Sequence, residues 1–284
     1  MSAITSGLFR ATARMARKRH LPISTFLSVV FLLAVLVSAI FGPLLEPYSP
    51  MVQDLYAIGA APSTEHWLGT DALGRDVLSR MIAGSTTALV GPLVVAVSGL
   101  IISALLGIYA GYSGGTPDSI IMRIVDFTFA LPGLLIAIVL VAILGGGYWM
   151  AIVVLSFLNV QGDIRIIRSS ALRERNLAYI EAARVVGVPK WRIMYRHILP
   201  NISPILVSNF AIDFAGALVA ISGLAFLGLG AEIGTPEWGS LLADGQKLLF
   251  INPSAALGPA ILIILLAVSM NLIGDWLYEK YSSR

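Results

Sequence analysis

Several stretches of about twenty residues run through this chain with no charged side chain, and inside hydrocarbon the backbone can satisfy its N–H and C=O groups in only two ways, the α-helix and the closed β-barrel. The first run, residues 23–41, makes about 28 Å of helix at 1.5 Å per residue, which matches a bilayer core. Further runs at 89–112, 120–144, 148–167, 202–229 and 255–278 predict six spans and an all-α polytopic fold. With 57% apolar and only 12% charged residues, a soluble core could not use that much apolar surface. A cleavable signal peptide is the rival for the first run, since Val37-Ser38-Ala39 resembles a cleavage site. The run is longer than the usual apolar segment of such peptides, about 7–15 residues, so an anchor is expected.

Chemistry is excluded as sharply as topology is imposed. There is no cysteine, hence no disulfide, thiolate ligand or thiol nucleophile, and the three histidines His20, His66 and His197 form no ligand pair, so no metal site is expected. A net charge of +3 could suggest nucleic acid, but the positive residues gather at the ends of apolar runs. The partner of those charges is the lipid bilayer. Of 19 Lys and Arg residues, only Arg75, Arg80 and Lys247 fall on one side; the other sixteen fall on the other, which the positive-inside rule makes cytosolic. Both termini are then cytosolic. The expected organisation is a basic tail at 1–20, a first span at 21–42, an outer loop with short helices at 43–85, a core of five spans at 86–278 and a short tail at 279–284. The core includes a cytosolic loop at 168–200 and an outer loop at 230–254.

One polar, basic segment stands out between the apolar runs: YIEAARVVGVPKWRIMYRHILP, residues 179–200. Tyr179, Ala182, Ala183 and Val186 follow i, i+3, i+4, i+7 spacing and predict one apolar helix face. Gly187 can take the left-handed conformation at a helix end, and Pro189 suits the first turn of the next helix. Trp191, Met194, Tyr195 and Ile198 then share a face, with Pro200 expected to end that helix. A charged loop that only enforces topology would need neither the small pair Ala182 and Ala183 nor the aromatic face.

Polar groups within the spans also require explanation, because an ionised carboxylate in hydrocarbon costs several kcal/mol unless it is paired or wet. Asp126 is expected to pair with Arg123 one turn away, and Asp163 with Arg165 to mark a helix end leaving the membrane. Asn209 and Asp213 share one face of their span and either line a pathway or pack against another subunit. Pro132 can kink the third span, and Gly223, Gly228 and Gly230 permit close helix contact or unwinding. Outside the spans, Asp71 with Arg75 and Asp76 with Arg80 are i, i+4 pairs that favour a short helix, bracing the next span or contacting a receptor. Residues 235–239, with Glu237 and Trp238, are either an interfacial aromatic anchor or part of an outer mouth.

Glu181-Ala182-Ala183, then Gly187, then His197-Ile198-Leu199-Pro200 resembles the EAA loop of ABC importer permeases, and the likeness narrows to the C-type permeases of dipeptide and oligopeptide importers. HWLGTDALGRDVLSRMIAG, LAFLGLGAEIGTPEWGSLLADG and NLIGDWLYEKY are similar to other segments of that family, although the Asp-Pro usual after the last helix is absent. An aliphatic residue ordinarily stands where His197 does, and the His-x-Leu-Pro-Asn form resembles the peptide subgroup. The resemblance implies a type I importer fold whose loop couples to separate ATPases through Glu181, Ala182, Ala183, Gly187, Trp191, His197, Leu199 and Pro200. It implies a B-type permease as heterodimer partner, two ATP-binding subunits holding ATP and Mg, and an extracytoplasmic substrate-binding protein, with no cofactor in this chain. Asn209, Asp213 and Asp126 become pathway or partner-permease candidates, and Arg75, Asp76, Glu237 and Trp238 receptor-facing candidates. The implied cargo is a dipeptide or oligopeptide, with nickel chelates, glutathione or haem as alternatives, in the cytoplasmic membrane.

Two readings of other classes are weighed on the same residues. No GxxxxGK[ST] sequence occurs, so any ATP-driven work must come from another polypeptide. An ion-coupled carrier would use Asp213 and Asp126 as ion sites but leaves the segment 181–200 unexplained. An intramembrane protease would need HExxH or Gly-x-Gly-Asp, and neither is present.

Overall fold

In the computed structural model the described residues are 22–130, 132–230 and 235–282. The basic tail at 1–20, residues 231–234 of the second outer loop and the last two residues, Arg284 included, lie outside them. Among the described residues there is no strand: the chain folds as α1 (Ile23–Leu45), α2 (Val77–Ala83), α3 (Ser85–Ser113), α4 (Gly115–Phe129), α5 (Gly133–Ile143), α6 (Tyr148–Glu174), α7 (Ala178–Val185), α8 (Lys190–Arg192), a π-helical segment (Ile193–Ile198), α9 (Leu199–Phe226), α10 (Trp238–Gln246) and α11 (Ser254–Ser282). Five helical stretches are long and apolar enough to cross a membrane, and α4 with α5, bent by 82°, can make a sixth span. The expected span at 120–144 is thus broken into two helices at Pro132, where a kink was expected. Pro132 takes an extended conformation (ψ 105°) ahead of α5, and its missing N–H could not have continued the hydrogen-bond ladder.

Small residues decide how closely the helices approach. Gly99, Ser103, Gly107 and Gly111, spaced four apart, form one buried stripe on α3 that packs along α6. A Cβ at Gly107 would lie 2.9 Å from Ile167 Cβ, and one at Gly111 2.5 Å from the Arg168 carbonyl oxygen. In lipid, where apolar side chains gain little by leaving their surroundings, such backbone proximity is the main source of helix association. Likewise, Gly274 of α11 meets Ala211 of α9. By contrast, Gly223 has no atom of this chain within 4 Å of a built Cβ, whereas one at Gly230 would lie 2.6 Å from Ala225 Cβ. Gly228 instead closes α9 with φ +80°, the conformation a helix-ending glycine supplies.

Asp126 of α4 bonds Arg165 of α6 at 2.7 Å rather than Arg123, and Arg168 forms a two-point pair with Asp118, its second bond 2.6 Å long. Two arginines thus clasp α4 against α6. Arg123 stands one turn away on the same helix, but the bond is made across to α6.

At the opposite end of the bundle, residues 46–76, α2 and α10 fold into one cap. Asp71 accepts from Arg75 Nε at 2.7 Å and lies 3.4 Å from Arg80 Nη1, while Asp76 caps α2 by accepting from the Ser79 N–H at 2.8 Å and pairs with His66 at 2.9 Å. The expected Asp76–Arg80 pair does not form, because Asp76 sits at the helix start with its oxygens already engaged. Trp238 is 1% exposed and donates its indole N–H to the Met81 carbonyl at 2.9 Å, so of its two alternatives the exposed interfacial anchor is excluded. Replacing it (Trp238→Ala) is expected to cost about 3–5 kcal/mol through the cavity left behind. A thermal unfolding midpoint in detergent that does not move would contradict its place as the wedge between cap and bundle.

Candidate functional site

The elbow at 178–198 is suspended between α6 and α9, so any push on it reaches both helices. Its first helix, α7, ends in a Schellman arrangement. The Val188 N–H donates to the Ala183 carbonyl at 3.0 Å, the Gly187 N–H to the Arg184 carbonyl at 3.0 Å, and Gly187 has φ +82°. A Cβ at Gly187 would have no atom within 4 Å, so this glycine is demanded by the turn and not by crowding within the chain. Pro189 precedes α8 as expected.

Of the expected apolar face, Tyr179, Ala182 and Val186 are exposed and Ala183 is half-buried. Ile180, Ile193 and Ile198 are fully buried with Ile108 of α3 and Ile167 and Ala171 of α6, and Ala183, Val188 and Leu199 pack onto this cluster. That apolar plug fixes the elbow to the spans. Glu181, Ala182, Val186 and Trp191 point away, with Val185 84%, Val186 82% and Trp191 59% exposed. Ile180, overlooked in favour of Tyr179, sets the helix phase because it is the larger aliphatic group in its turn. The result is an outward strip of valine, small residues and tryptophan beside Glu181. Soluble surfaces rarely keep such a strip bare unless it meets a partner.

The second arm also departs from expectation. Pro200 does not end it: α8, the π-helical segment and α9 run on as one stretch from Lys190 to Phe226. Pro200 falls in the first turn of α9, and the widened turn before it accommodates a residue with no N–H to give. His197 is half-buried there, and its carbonyl accepts from Asn201 at 3.1 Å. Asn201 also donates to the Tyr179 hydroxyl at 2.7 Å, and Tyr179 donates to Glu174 at 2.6 Å. These bonds tie both arms of the elbow to the ends of α6 and α9. Beside them a cavity of about 520 Å³ is lined by Tyr112, Ser113, Arg175, Arg184, Val188 and Lys190.

Of the other candidates, Asn209 and Asp213 come together, and with them Asp163, which sequence reasoning placed at a helix end. Asp163 is instead buried within α6, and Asn209 donates to its Oδ1 at 2.9 Å. Its neighbour Arg165 pulled the reading outward, whereas the apolar residues Val160 and Ile164 around it were the better signal. Asp126 lies elsewhere, on exposed α4. Arg75, Asp76, Glu237 and Trp238 are all buried in the cap.

Comparison with known proteins fits this architecture. A family model described as binding-protein-dependent transport system inner membrane component matches residues 103–284, which include α6, the elbow and everything after it. The chain is 36% identical over 263 residues to the glutathione transport system permease protein GsiD of Pectobacterium atrosepticum, covering 92% of this chain and 86% of that one. It is also 36% identical over 252 residues to the probable D,D-dipeptide transport system permease protein DdpC of Escherichia coli K12, covering 88% and 84%. A solved inward-facing structure of the MetNI methionine ABC transporter superposes with a TM-score of 0.59 at 18% identity, over 71% of this chain and 96% of that one, which shows a shared fold. Taken with the helical bundle and its suspended elbow, these matches establish that the chain belongs to the binding-protein-dependent transport system inner membrane component family, the permeases of ABC importers.

Proposed function

We propose that this permease carries short peptides or peptide-like cargo and is driven through its elbow by separate ATP-hydrolysing subunits. The single observation behind the cargo class is the 36% identity, sustained over most of both chains, to permeases whose names specify glutathione and a D,D-dipeptide. Both cargoes are small, amide-linked and zwitterionic or anionic. Uptake of labelled dipeptide and of glutathione into proteoliposomes holding the complete transporter tests this. Saturable, ATP-dependent uptake is expected, and it should survive collapse of the proton gradient. Transport confined to a nickel chelate or to haem would overturn the cargo class, and uphill uptake without any ATPase would overturn the whole reading.

The exposed strip of Glu181, Ala182, Val185, Val186 and Trp191, with Gly187 at its bend, is the surface offered to the ATPase. His197, Leu199 and Pro200 transmit its movement into α9. A second permease completes the pathway, two ATP-binding subunits hold ATP and Mg, and an extracytoplasmic binding protein presents cargo. Cap residues Arg75, Asp76, Glu237 and Trp238 brace the outer end from within.

The elbow lies on the cytosolic side, because the sixteen positive residues lie there against three opposite. The absence of cysteine makes that easy to test. A single Val185→Cys variant, at a site 84% exposed in the chain alone, should react with an impermeant maleimide in inside-out vesicles made without the ATPase and stay unlabelled in right-side-out ones. The reverse pattern would invert the topology.

A further inference from the structure

Two carboxyl groups meet inside the bundle with nothing to neutralise them. Asp163 of α6 is 6% exposed, and its Oδ2 and that of Asp213 of α9 are both buried without a hydrogen-bond donor. They converge beside Gly99 of α3, where a Cβ would lie 3.3 Å from Asp213 Oδ2 and 3.7 Å from Asp163 Oδ2. Asn209 serves only Asp163 Oδ1.

On α3 the titratable groups are Tyr109 and Tyr112, about 15 Å or more along the helix from Gly99 at 1.5 Å per residue. On α4, Asp118 and Asp126 are held by Arg168 and Arg165. Ala211 packs against Gly274 of α11, so Asp213, two residues or about 200° further round α9, points away from α11 and its Asp275. Among the described residues, each carboxyl has the other as its charged neighbour. Two facing carboxylates whose Oδ2 atoms are buried repel each other and strand their lone pairs, and a single proton between them removes both problems.

We propose that Asp163 and Asp213 form a proton-binding site, in which one shared proton bonds α6 to α9. The site stands about 16 Å along α6 from its end at Glu174 and about 21 Å along α9 from its start at Leu199. A clasp there makes the two arms carrying the elbow move as one body. The proton stays in place and does not travel with cargo, so this site is compatible with ATP as the only energy source.

Infrared spectroscopy of the assembled transporter in nanodiscs reads the proton directly. At neutral pH a protonated-carboxyl C=O band that shifts in D₂O is expected, and it should vanish in the Asp163→Asn, Asp213→Asn double variant. The unfolding midpoint of the native chain should depend on pH. Asp213→Asn, whose amide supplies a permanent donor, should flatten that slope. Absence of the band at neutral pH, its persistence in the double variant, or equal slopes in native and Asp213→Asn proteins would overturn the proposal. So would stabilisation by sodium but not by choline, which would make the ligand a metal cation. None of these readouts depends on cargo, so failure here is distinct from failure of the transport reading.

Discussion

Gly187→Asp is expected to leave the chain inserted and helical while weakening its hold on the ATPase by two to three orders of magnitude, with cargo uptake lost in parallel. The turn itself tolerates the change better than most, since Asp enters the left-handed region more readily than other side chains and nothing stands within 4 Å of the new Cβ. What changes is the partner surface. A carboxylate placed at the bend of an otherwise apolar strip would be buried unpaired when the ATPase docks, and an uncompensated charge at such a contact costs about 3–5 kcal/mol. Gly187→Asn separates the two causes, because it keeps the left-handed conformation and brings no charge. Co-purification of ATPase subunits should be near normal for Asn and nearly absent for Asp. Equal recovery with both variants, or undiminished uptake with Asp, would remove the elbow from the coupling surface.

Much of this arrangement was legible in the sequence, and the parts that were not share a cause. Apolar runs located the spans because length and charge-free composition are properties of one helix alone. The glycine at 187 announced its turn for the same reason: a positive φ is a local demand. Partners across helices were different. Arg123 is the neighbour of Asp126 in sequence, but the bond is made to Arg165, and the choice depends on how α4 lies on α6. Asp163 looked like a helix end because Arg165 follows it, and only packing reveals that it turns inward towards Asp213. Arg75 and Trp238 carry side chains typical of surfaces, yet the cap closes over both. Pro200 reads as a stop, and the π-helical turn that absorbs it has no signature in composition.

Gly111→Leu should be the most damaging single change within the spans, abolishing accumulation of the folded chain in the membrane. The stripe of Gly99, Ser103, Gly107 and Gly111 has no bulk to yield: at Gly111 a Cβ alone would stand 2.5 Å from the Arg168 carbonyl oxygen and 2.9 Å from Ala171 Cβ. Overpacking a side-chain core costs about 1–3 kcal/mol because rotamers can shift, but here the obstacle is helical backbone. Relief requires α3 and α6 to part. That would also separate Ile108 from Ile167, opening the plug that anchors the elbow, and would move α6 relative to Gly99, disturbing the Asp163–Asp213 site. Gly162→Ala is the matched control on the facing helix, since only the Phe129 ring lies near its built Cβ, at 3.9 Å, and alanine is the better helix former by about 1 kcal/mol. The expected pattern in detergent is native-like size-exclusion behaviour with an unchanged or raised unfolding midpoint for Gly162→Ala, and aggregation or proteolysis for Gly111→Leu. A monodisperse Gly111→Leu protein with a native midpoint would mean that α3 and α6 are not in contact at this level, and the suspension of the elbow would need another basis.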